Sequence, residues 1–131
     1  MRTKESGVLA DVTALATVAV KDLDRAKRFY EESLGLELTD KQEPGTLSYQ
    51  TGGGELFVYE SEHAGTNKAT AVTWIVGDVD GAVQSLKGKG VKFEHYDLPG
   101  MTRQGDVHVA DSMKAAWFKD PDGNIHALAS A

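Results

Sequence analysis

The stretch VAVKDLDRA at residues 18–26 decides the fold, because the chain repeats it. The second copy is WIVGDVDGA at residues 74–82, and Asp78 stands there where Asp22 stands in the first copy, at an offset of 56 residues. Repetition at a fixed offset indicates a duplicated structural unit. The two halves of the chain are therefore expected to share one order of strands and helices.

Each copy begins with an apolar strand pattern that ends at an aspartate. Asp22 and Asp78 favour helix starts, because a carboxylate can accept hydrogen bonds from the free N–H groups of a first turn. Gly35 and Gly90 follow the apolar helical patterns, and glycine favours the left-handed conformation that ends many helices. Short strand patterns follow at residues 36–39, 47–50 and 55–60, then at 91–96, 113–119 and 124–129. The sequence predicts two tandem βαβββ modules.

The composition limits the classes of function. The 131 residues are 40% hydrophobic, which suits one compact domain over residues 1–131, with module one at about 12–61 and module two at about 70–129. The chain has no cysteine, so disulfides and thiolate metal sites are excluded and a cytoplasmic location is expected. A net charge of −6 argues against a nucleic-acid partner. No apolar run approaches the roughly 20 residues of a membrane span, so no membrane partner is expected.

Two longer motifs carry a resemblance to a known family. The phrase VAVKDLDRAKRFYEESLGLEL at residues 18–38 and the ending FKDPDGNIHAL at 118–128, in this order, resemble the vicinal-oxygen-chelate superfamily, also called the glyoxalase, bleomycin-resistance and dioxygenase fold. The resemblance covers the chain from about residue 12 to 129. It implies an α+β fold whose two modules form an incomplete barrel, with helices outside and a cavity inside. It also implies a homodimer.

Enzymes of this superfamily hold a divalent ion with four side chains, and the resemblance assigns the corresponding positions. They fall on Leu15, Ala71, Ala127 and either Phe57 or Tyr59. Leucine, alanine and phenylalanine offer no lone pairs to a metal, and one tyrosine is a poor substitute. The resemblance therefore implies the fold without its usual metal and without a cofactor. Small and apolar residues at these places are typical of the lining of an organic ligand site.

Strand alternation completes the predicted ligand-binding set. If Ala127 faces the cavity, His126 faces the helices, because neighbouring side chains of a strand point to opposite faces. A type I turn at residues 120–123 predicts that Phe118 pairs with Ile125 on the cavity side, and that Trp117 faces His126. The predicted ligand-binding residues are Leu15, Thr17, Phe57, Tyr59, Ala71, Thr73, Phe118 and Ala127. Asp120 and Asp122 are interpreted as structural residues of the turn.

The longest stretch without a clear pattern is DLPGMTRQGDVHVAD at residues 97–111. Long loops are often functional, so this stretch is predicted to be structureless and is a candidate lid. His95, His108 and Asp111 lie in or beside it and are candidate catalytic acids or bases. Simple solvent exposure or packing remains the alternative for each of them.

Two hypotheses of function remain open. The first is a metal-free protein that binds a small organic molecule in an apolar cavity. The second is a glyoxalase-like isomerase or lyase, which would use either a metal site rebuilt from His63, His95 or His108, or acid–base chemistry without a metal. The sequence leaves open whether the protein is an enzyme, and it does not identify the ligand.

Overall fold

A computed structural model describes residues 8–40 and 42–130, and the predicted domain limits at Met1 and Ala131 lie outside this part. The first half contains β1 (Ala16–Val20), α1 (Leu23–Lys27), a π-helical segment (Arg28–Ser33), β2 (Glu37–Leu38), β3 (Thr46–Gln50) and β4 (Glu55–Glu60). The second half contains β5 (Thr70–Val76), α2 (Val79–Lys87), β6 (Phe93–Glu94), β7 (Thr102–Gln104), β8 (Val107–Ala110), β9 (Met113–Lys119) and β10 (Ile125–Ser130).

The strands form two sheets with related topology. The first sheet has the order β1-β4-β3-β2, and the second has the order β5-β10-β9-β8-β7, with β6 also paired to β9. In each sheet the first and last strands of the unit run parallel, β1 with β4 and β5 with β10. Contacts between β1 and β5 place the sheets side by side. The predicted α+β fold is confirmed, and the second βαβββ unit carries two additional strands, β7 and β8. No helix in the described part of the chain is long and apolar enough to cross a membrane.

The predicted helix starts and stops are confirmed. The carboxylate of Asp22 accepts hydrogen bonds from the backbone N–H groups of Asp24 and Arg25, at 3.0 and 3.2 Å. The carboxylate of Asp78 accepts one such bond, at 3.0 Å. Gly35 and Gly90 adopt φ angles of +74° and +90°, which L side chains rarely adopt.

The first helix differs from the prediction in its second half, where it widens into a π-helical turn. The N–H of Leu34 donates to the carbonyl of Phe29, five residues earlier, at 3.0 Å. The rings of Phe29 and Tyr30 meet edge to face, with centroids 5.2 Å apart. Tyr30 is fully buried, and Phe29 packs against the buried clusters of both halves. The turn thus brings two consecutive aromatic residues to the core.

The core lies between the helices and one face of each sheet. Its largest fully buried apolar and aromatic side chains, apart from the histidines, are Tyr30, Tyr49, Phe118, Leu56, Val20, Val58 and Val83. Phe29, Leu34 and Trp74 pack against both buried clusters, so the two halves share apolar contacts. Burial of this surface is the main source of stability of such a fold.

The hairpin between β9 and β10 has one loop residue more than the simple turn implies. The N–H of Asp120 donates to the carbonyl of Asn124, and the N–H of Gly123 donates to the carbonyl of Asp120, both at 3.0 Å. Gly123 takes a φ of +89°, as in three-residue hairpin loops with a left-handed last residue. Phe118 therefore pairs with His126, and the predicted pairing with Ile125 is wrong.

This register reverses the predicted faces of β9. Phe118 lies on the helix side and is 1% exposed. Its ring stacks on that of His126, with the ring centroids 4.9 Å apart. Trp117 pairs with Ala127 on the opposite side, so the prediction that Trp117 faces His126 is also wrong. The physical reason is the period of two in a strand: a shift of one residue in pairing moves every side chain to the other face.

The stretch at residues 97–111 is not structureless, contrary to the prediction. It contains the hairpin of β7 and β8, closed at Gln104 and Val107 around a two-residue turn. Gly105 adopts a φ of +65° there, which suits the tight turns that join hairpin strands. Because β8 also pairs with β9, this stretch extends the second sheet. Its role as a lid stays a prediction.

Candidate ligand-binding cavity

Each sheet has a face opposite the helices, which we call the open face. On the first sheet Thr17 of β1 pairs with Phe57 of β4, and both side chains lie on the open face. The pair two residues further along, Ala19 and Tyr59, lies on the same face. On the second sheet Thr73 and Trp117 both pair with Ala127, so these three residues share the open face. The open faces therefore carry a mixture of small, polar and aromatic side chains.

A cavity of about 500 Å³ lies on the open face of the second sheet. Trp117 and Ile125 line it from β9 and β10, and Tyr96 and Leu98 line it from the connection that follows β6. The other lining residues are Gly65, Asn67, Lys68, Ala69, Thr70, Lys119 and Gly123. This volume is in the range of sites for small organic ligands.

Two neighbouring rings hold Trp117 in place. The Tyr96 ring meets the indole at a centroid distance of 5.4 Å and an angle of 76°, and the His108 ring meets it at 4.9 Å and 85°. His108 is 1% exposed, and its Nε2 lies 3.0 Å from the backbone nitrogen of Tyr96. Edge-to-face contacts of this kind are favourable beyond simple burial. The indole is thus positioned before any ligand arrives.

The charged side chains that line the cavity are both lysines, Lys68 and Lys119. The Nζ of Lys119 lies 3.7 Å from the Oε1 of Glu94, beyond hydrogen-bond distance. Among the described residues Lys68 has no ion-pair partner. The lining of the cavity therefore carries two ammonium groups, one of them beside the carboxylate of Glu94, in a protein with a net charge of −6.

The predicted ligand-binding residues of the first sheet lie together on its open face. Phe57 and Tyr59 stack at a centroid distance of 6.3 Å and an angle of 18°, and each pairs across the sheet with a residue of β1. Thr17 is exposed on this face, and Leu15, just before β1, is 44% exposed. These four residues form a partly exposed aromatic and apolar surface.

The predicted residues of the second sheet divide between its faces. Thr73 and Ala127 lie opposite each other on the open face, and Ala71 packs against the buried cluster of the first half. Phe118 lies in the core, so its predicted place in the ligand site is wrong. None of the eight predicted residues is among the described residues that line the cavity.

The positions that the resemblance assigns to the family's metal do not suit one here. Leu15, Ala71, Ala127 and Phe57 have apolar side chains, and Tyr59 alone offers an oxygen. Within residues 8–40 and 42–130, no three histidine, aspartate or glutamate side chains come together as a metal site. The residues present do not fit the family's divalent ion.

His126 is part of a buried network that joins the two halves. The hydroxyl of Tyr30 donates to Oδ2 of Asp120 at 2.7 Å and lies 3.0 Å from Nε2 of His126. The indole N–H of Trp74 donates to Nδ1 of His126 at 3.0 Å. These contacts suit a neutral imidazole with its proton on Nε2. The prediction that His126 lies on the helix-covered face is confirmed.

Burial governs the ionisation of this network. It lowers the pKa of His126 from 6.5 to about 4, because the buried site disfavours the imidazolium. Burial, with Asp120 beside it, also raises the pKa of the Tyr30 hydroxyl far above its usual range. Both groups are neutral near pH 7. Their contacts point to a structural role, because both side chains are fully buried.

The turn that precedes β10 also binds the first half. The side-chain amide of Asn124 donates to the carbonyl of Ala19 at 2.7 Å. Nη2 of Arg25 contacts Oδ1 of Asp122 at 2.9 Å. Asp120 accepts backbone hydrogen bonds from Asp122 and Asn124 with its Oδ1. The structural interpretation of Asp120 and Asp122 is confirmed.

The three candidate catalytic residues have separate sets of partners. His95 Nε2 lies 2.7 Å from Oδ1 of Asp106, whose Oδ2 accepts a hydrogen bond from Lys87 at 2.7 Å. The bonds from Lys87 and His95 lower the pKa of Asp106. His108 is buried beside Trp117, and Asp111 occupies a tight turn with a φ of +52°. The structure does not gather them at one site.

Sequence reasoning missed Trp117, Lys119, Tyr96 and Lys68. The first two alternate on β9, so the correct hairpin loop would have placed both on the open face. Tyr96 and Lys68 lie in connections between strands, where no periodicity predicts the direction of a side chain. His63, a candidate ligand for a rebuilt metal site, is exposed, and its Nε2 lies 3.8 Å from Oε1 of Glu62.

Comparisons with known proteins agree with this architecture. The family model "Glyoxalase/Bleomycin resistance protein/Dioxygenase superfamily" matches residues 12–128. A glyoxalase/bleomycin resistance protein from Catenulispora acidiphila is similar in structure, with a TM-score of 0.68, 27% identity, and coverage of 92% of this chain and 99% of that chain. No curated protein matches the sequence.

Two further structures show the fold alone. A lactoylglutathione lyase from Agrobacterium tumefaciens has a TM-score of 0.66 and 17% identity, with 92% of this chain and 94% of that chain covered. The fosfomycin resistance protein FosX from Mesorhizobium loti has a TM-score of 0.65 and 12% identity, with 95% and 94% covered.

Proposed function

Because the chain belongs to the glyoxalase/bleomycin resistance protein/dioxygenase superfamily, we propose that it binds a small organic molecule on its open faces without a metal ion. The observation that carries the proposal is the cavity of about 500 Å³ with an aromatic floor at Trp117. The apolar residues at the positions assigned to the family's metal ligands support the proposal further. Small-molecule sites are commonly concave and mostly apolar, with a few polar groups that orient the ligand.

The predicted ligand-binding residues extend this proposal across the open faces. The seven that remain after the correction of Phe118 are Leu15, Thr17, Phe57, Tyr59, Ala71, Thr73 and Ala127. The stacked pair of Phe57 and Tyr59 offers a second aromatic surface to a planar group. In this proposal the cavity holds one end of the ligand, and the surface at Phe57 contributes when a second chain covers it.

We also propose that the protein is a homodimer in the cytoplasm, with the open faces shared between two copies. Ile75, Met113 and Leu15 are 65%, 49% and 44% exposed on the open side, and such apolar exposure is typical of interfaces. Sedimentation equilibrium tests this directly. The native chain should sediment at twice the monomer mass and Ile75→Lys should shift it toward the monomer, whereas a monomeric native chain contradicts the proposal.

The test of ligand binding is a thermal-shift screen with neutral, cationic and anionic organic compounds and, separately, with Zn²⁺, Mn²⁺ and Ni²⁺. A ligand at 100 times its Kd stabilises a protein by about 2.7 kcal/mol, which is readily measured. We expect organic compounds to raise the melting temperature of the native chain and not that of Trp117→Ala. A shift with divalent ions and with no organic compound would contradict the proposal.

The alternative function is a glyoxalase-like isomerase or lyase. Such an enzyme would need an acid or base beside the ligand, and His108, which contacts Trp117, is the nearest candidate. Turnover of a bound compound that is lost in His108→Gln and kept in His95→Gln would support this alternative. Binding without turnover would support the binding protein.

A further inference from the structure

Resting on the proposed function, we infer that the cavity at Trp117 takes a planar aromatic ligand that carries a carboxylate or a similar anionic group. The inference names the chemical class of the ligand, which neither the fold nor the comparisons specify. It follows from which side chains line the cavity and from how they are held.

The charge of the lining is the first argument. Among the described residues that line the cavity, the charged ones are Lys68 and Lys119, and the carboxylate of Glu94 lies 3.7 Å from the Nζ of Lys119, in a protein with 20 acidic and 14 basic residues. Two ammonium groups repel a cation and attract an anion, and solvent screens this attraction only in part over short distances. A cationic ligand, which two aromatic rings could otherwise attract, is disfavoured here.

The arrangement on β9 is the second argument. Trp117 and Lys119 are two residues apart on the same face, so their backbones are roughly 7 Å apart. Ile125 lies directly opposite Lys119 on β10. A ring stacked on the indole would therefore reach the ammonium group with a substituent at its edge. This spacing suits one compact molecule with an aromatic body and an anionic group.

The third argument is the state of the two lysines. The Nζ of Lys119 and the Oε1 of Glu94 are 3.7 Å apart, and Lys119 is half exposed. Lys68 has no ion-pair partner in the described part of the chain. An incoming carboxylate can bind either ammonium group without first breaking a hydrogen-bonded ion pair.

The experiment uses three probes of one shape: 1-naphthoate, the neutral 1-naphthamide and the cationic 1-naphthylmethylammonium. Calorimetric titration of the full-length protein gives the Kd of each. We expect naphthoate to bind about threefold to tenfold more tightly than naphthamide, as expected from one or two partly exposed ion pairs. Raising the salt concentration should weaken naphthoate and leave naphthamide unchanged.

Charge variants assign the effect to the cavity. Lys68→Gln and Lys119→Gln should each weaken naphthoate about threefold and leave naphthamide unchanged. Glu94→Gln should strengthen naphthoate, because it removes the competing carboxylate. Lys27→Gln, on α1 and outside the lining, is the matched control and should change neither Kd. Trp117→Phe should weaken both probes.

Several results would overturn the inference. They are equal or tighter binding of naphthamide or naphthylmethylammonium, a naphthoate Kd unchanged in both lysine variants, naphthoate binding unaffected by Trp117→Phe, and no binding of naphthoate at all. A neutral or cationic compound that binds in the broad screen would leave the proposed function standing and would still overturn the anionic class. Failure of every organic compound in that screen is what would overturn the proposed function itself.

Discussion

The two sheets share one topology, yet they present different open faces. The first carries a shallow surface with Phe57 and Tyr59, whereas the second carries a cavity walled by Tyr96 and Leu98 over Trp117. The difference lies in the connections. Only residues 39–45 separate β2 from β3, whereas residues 95–112 separate β6 from β9 and add β7 and β8. A duplicated framework thus acquires a site through its connections: the longer one supplies Tyr96 and Leu98, and the one between β4 and β5 supplies Lys68.

The largest expected effect is a difference in stability between two variants. One removes a side chain from the helix-covered face of the second sheet, and the other removes a side chain from the open face of the first. Phe118→Ala should lower the free energy of unfolding by about 3–5 kcal/mol, because it leaves a void in a packed core. Phe57→Ala, the matched control on the open face, should cost about 1–2 kcal/mol, because that ring is only partly buried. Urea unfolding measures both. Equal losses would contradict our assignment of the two faces.

The next effect concerns the network that joins the halves. Its histidine, His126, has a pKa of about 4 when folded and about 6.5 when unfolded, so the unfolded chain binds more protons below pH 6.5. This contribution to stability is complete above pH 6.5 and is lost as the pH falls toward 4. The resulting loss in the free energy of unfolding is about 2 kcal/mol between pH 8 and pH 5.

Urea unfolding at pH 8 and pH 5 measures this loss. His126→Gln should reduce the pH dependence by about that amount relative to the native chain. An unchanged pH dependence in His126→Gln would mean that the pKa of this imidazole is the same in the folded and unfolded protein, which would contradict the prediction.

A smaller effect tests the turn that directs Trp117 to the cavity. Gly123→Ala should destabilise the protein by about 1–2 kcal/mol, because an L residue is strained at a φ of +89°. No atom lies within 4 Å of the added methyl group, so the cost is conformational. Gly52→Ala, also in open space and without a left-handed φ, is the control and should be nearly neutral. Thermal unfolding compares them.

The smallest effect compares the helix starts of the two halves. Asp22→Ala and Asp78→Ala should each cost about 1 kcal/mol, the usual effect of removing an N-cap. The loss should be larger for Asp22, because its carboxylate accepts two backbone hydrogen bonds and that of Asp78 accepts one. Urea unfolding of both variants and of Asp78→Asn, which keeps a capping oxygen, gives the order. A larger loss at Asp78 would reverse the comparison.

The sequence by itself determined the repeat, the class of fold and the helix limits. These features depend on local chemistry: aspartates accept from free N–H groups at Asp22 and Asp78, and glycines adopt left-handed angles at Gly35 and Gly90. The resemblance to the family assigned apolar residues to its metal positions, and that assignment stays a prediction. His126 could be assigned to the helix side by alternation within a single strand, once the resemblance placed Ala127 at the cavity.

Only the tertiary structure decided where the cavity lies. One left-handed glycine, Gly123, shifts the hairpin register, which buries Phe118 and turns Trp117 to the open face. Tyr96 and Lys68 approach Trp117 from connections that are distant in sequence. Local patterns fix which residues alternate along a strand, but the pairing of strands and the path of loops depend on contacts between remote parts of the chain. For that reason the framework was predictable, and the site that it carries was not.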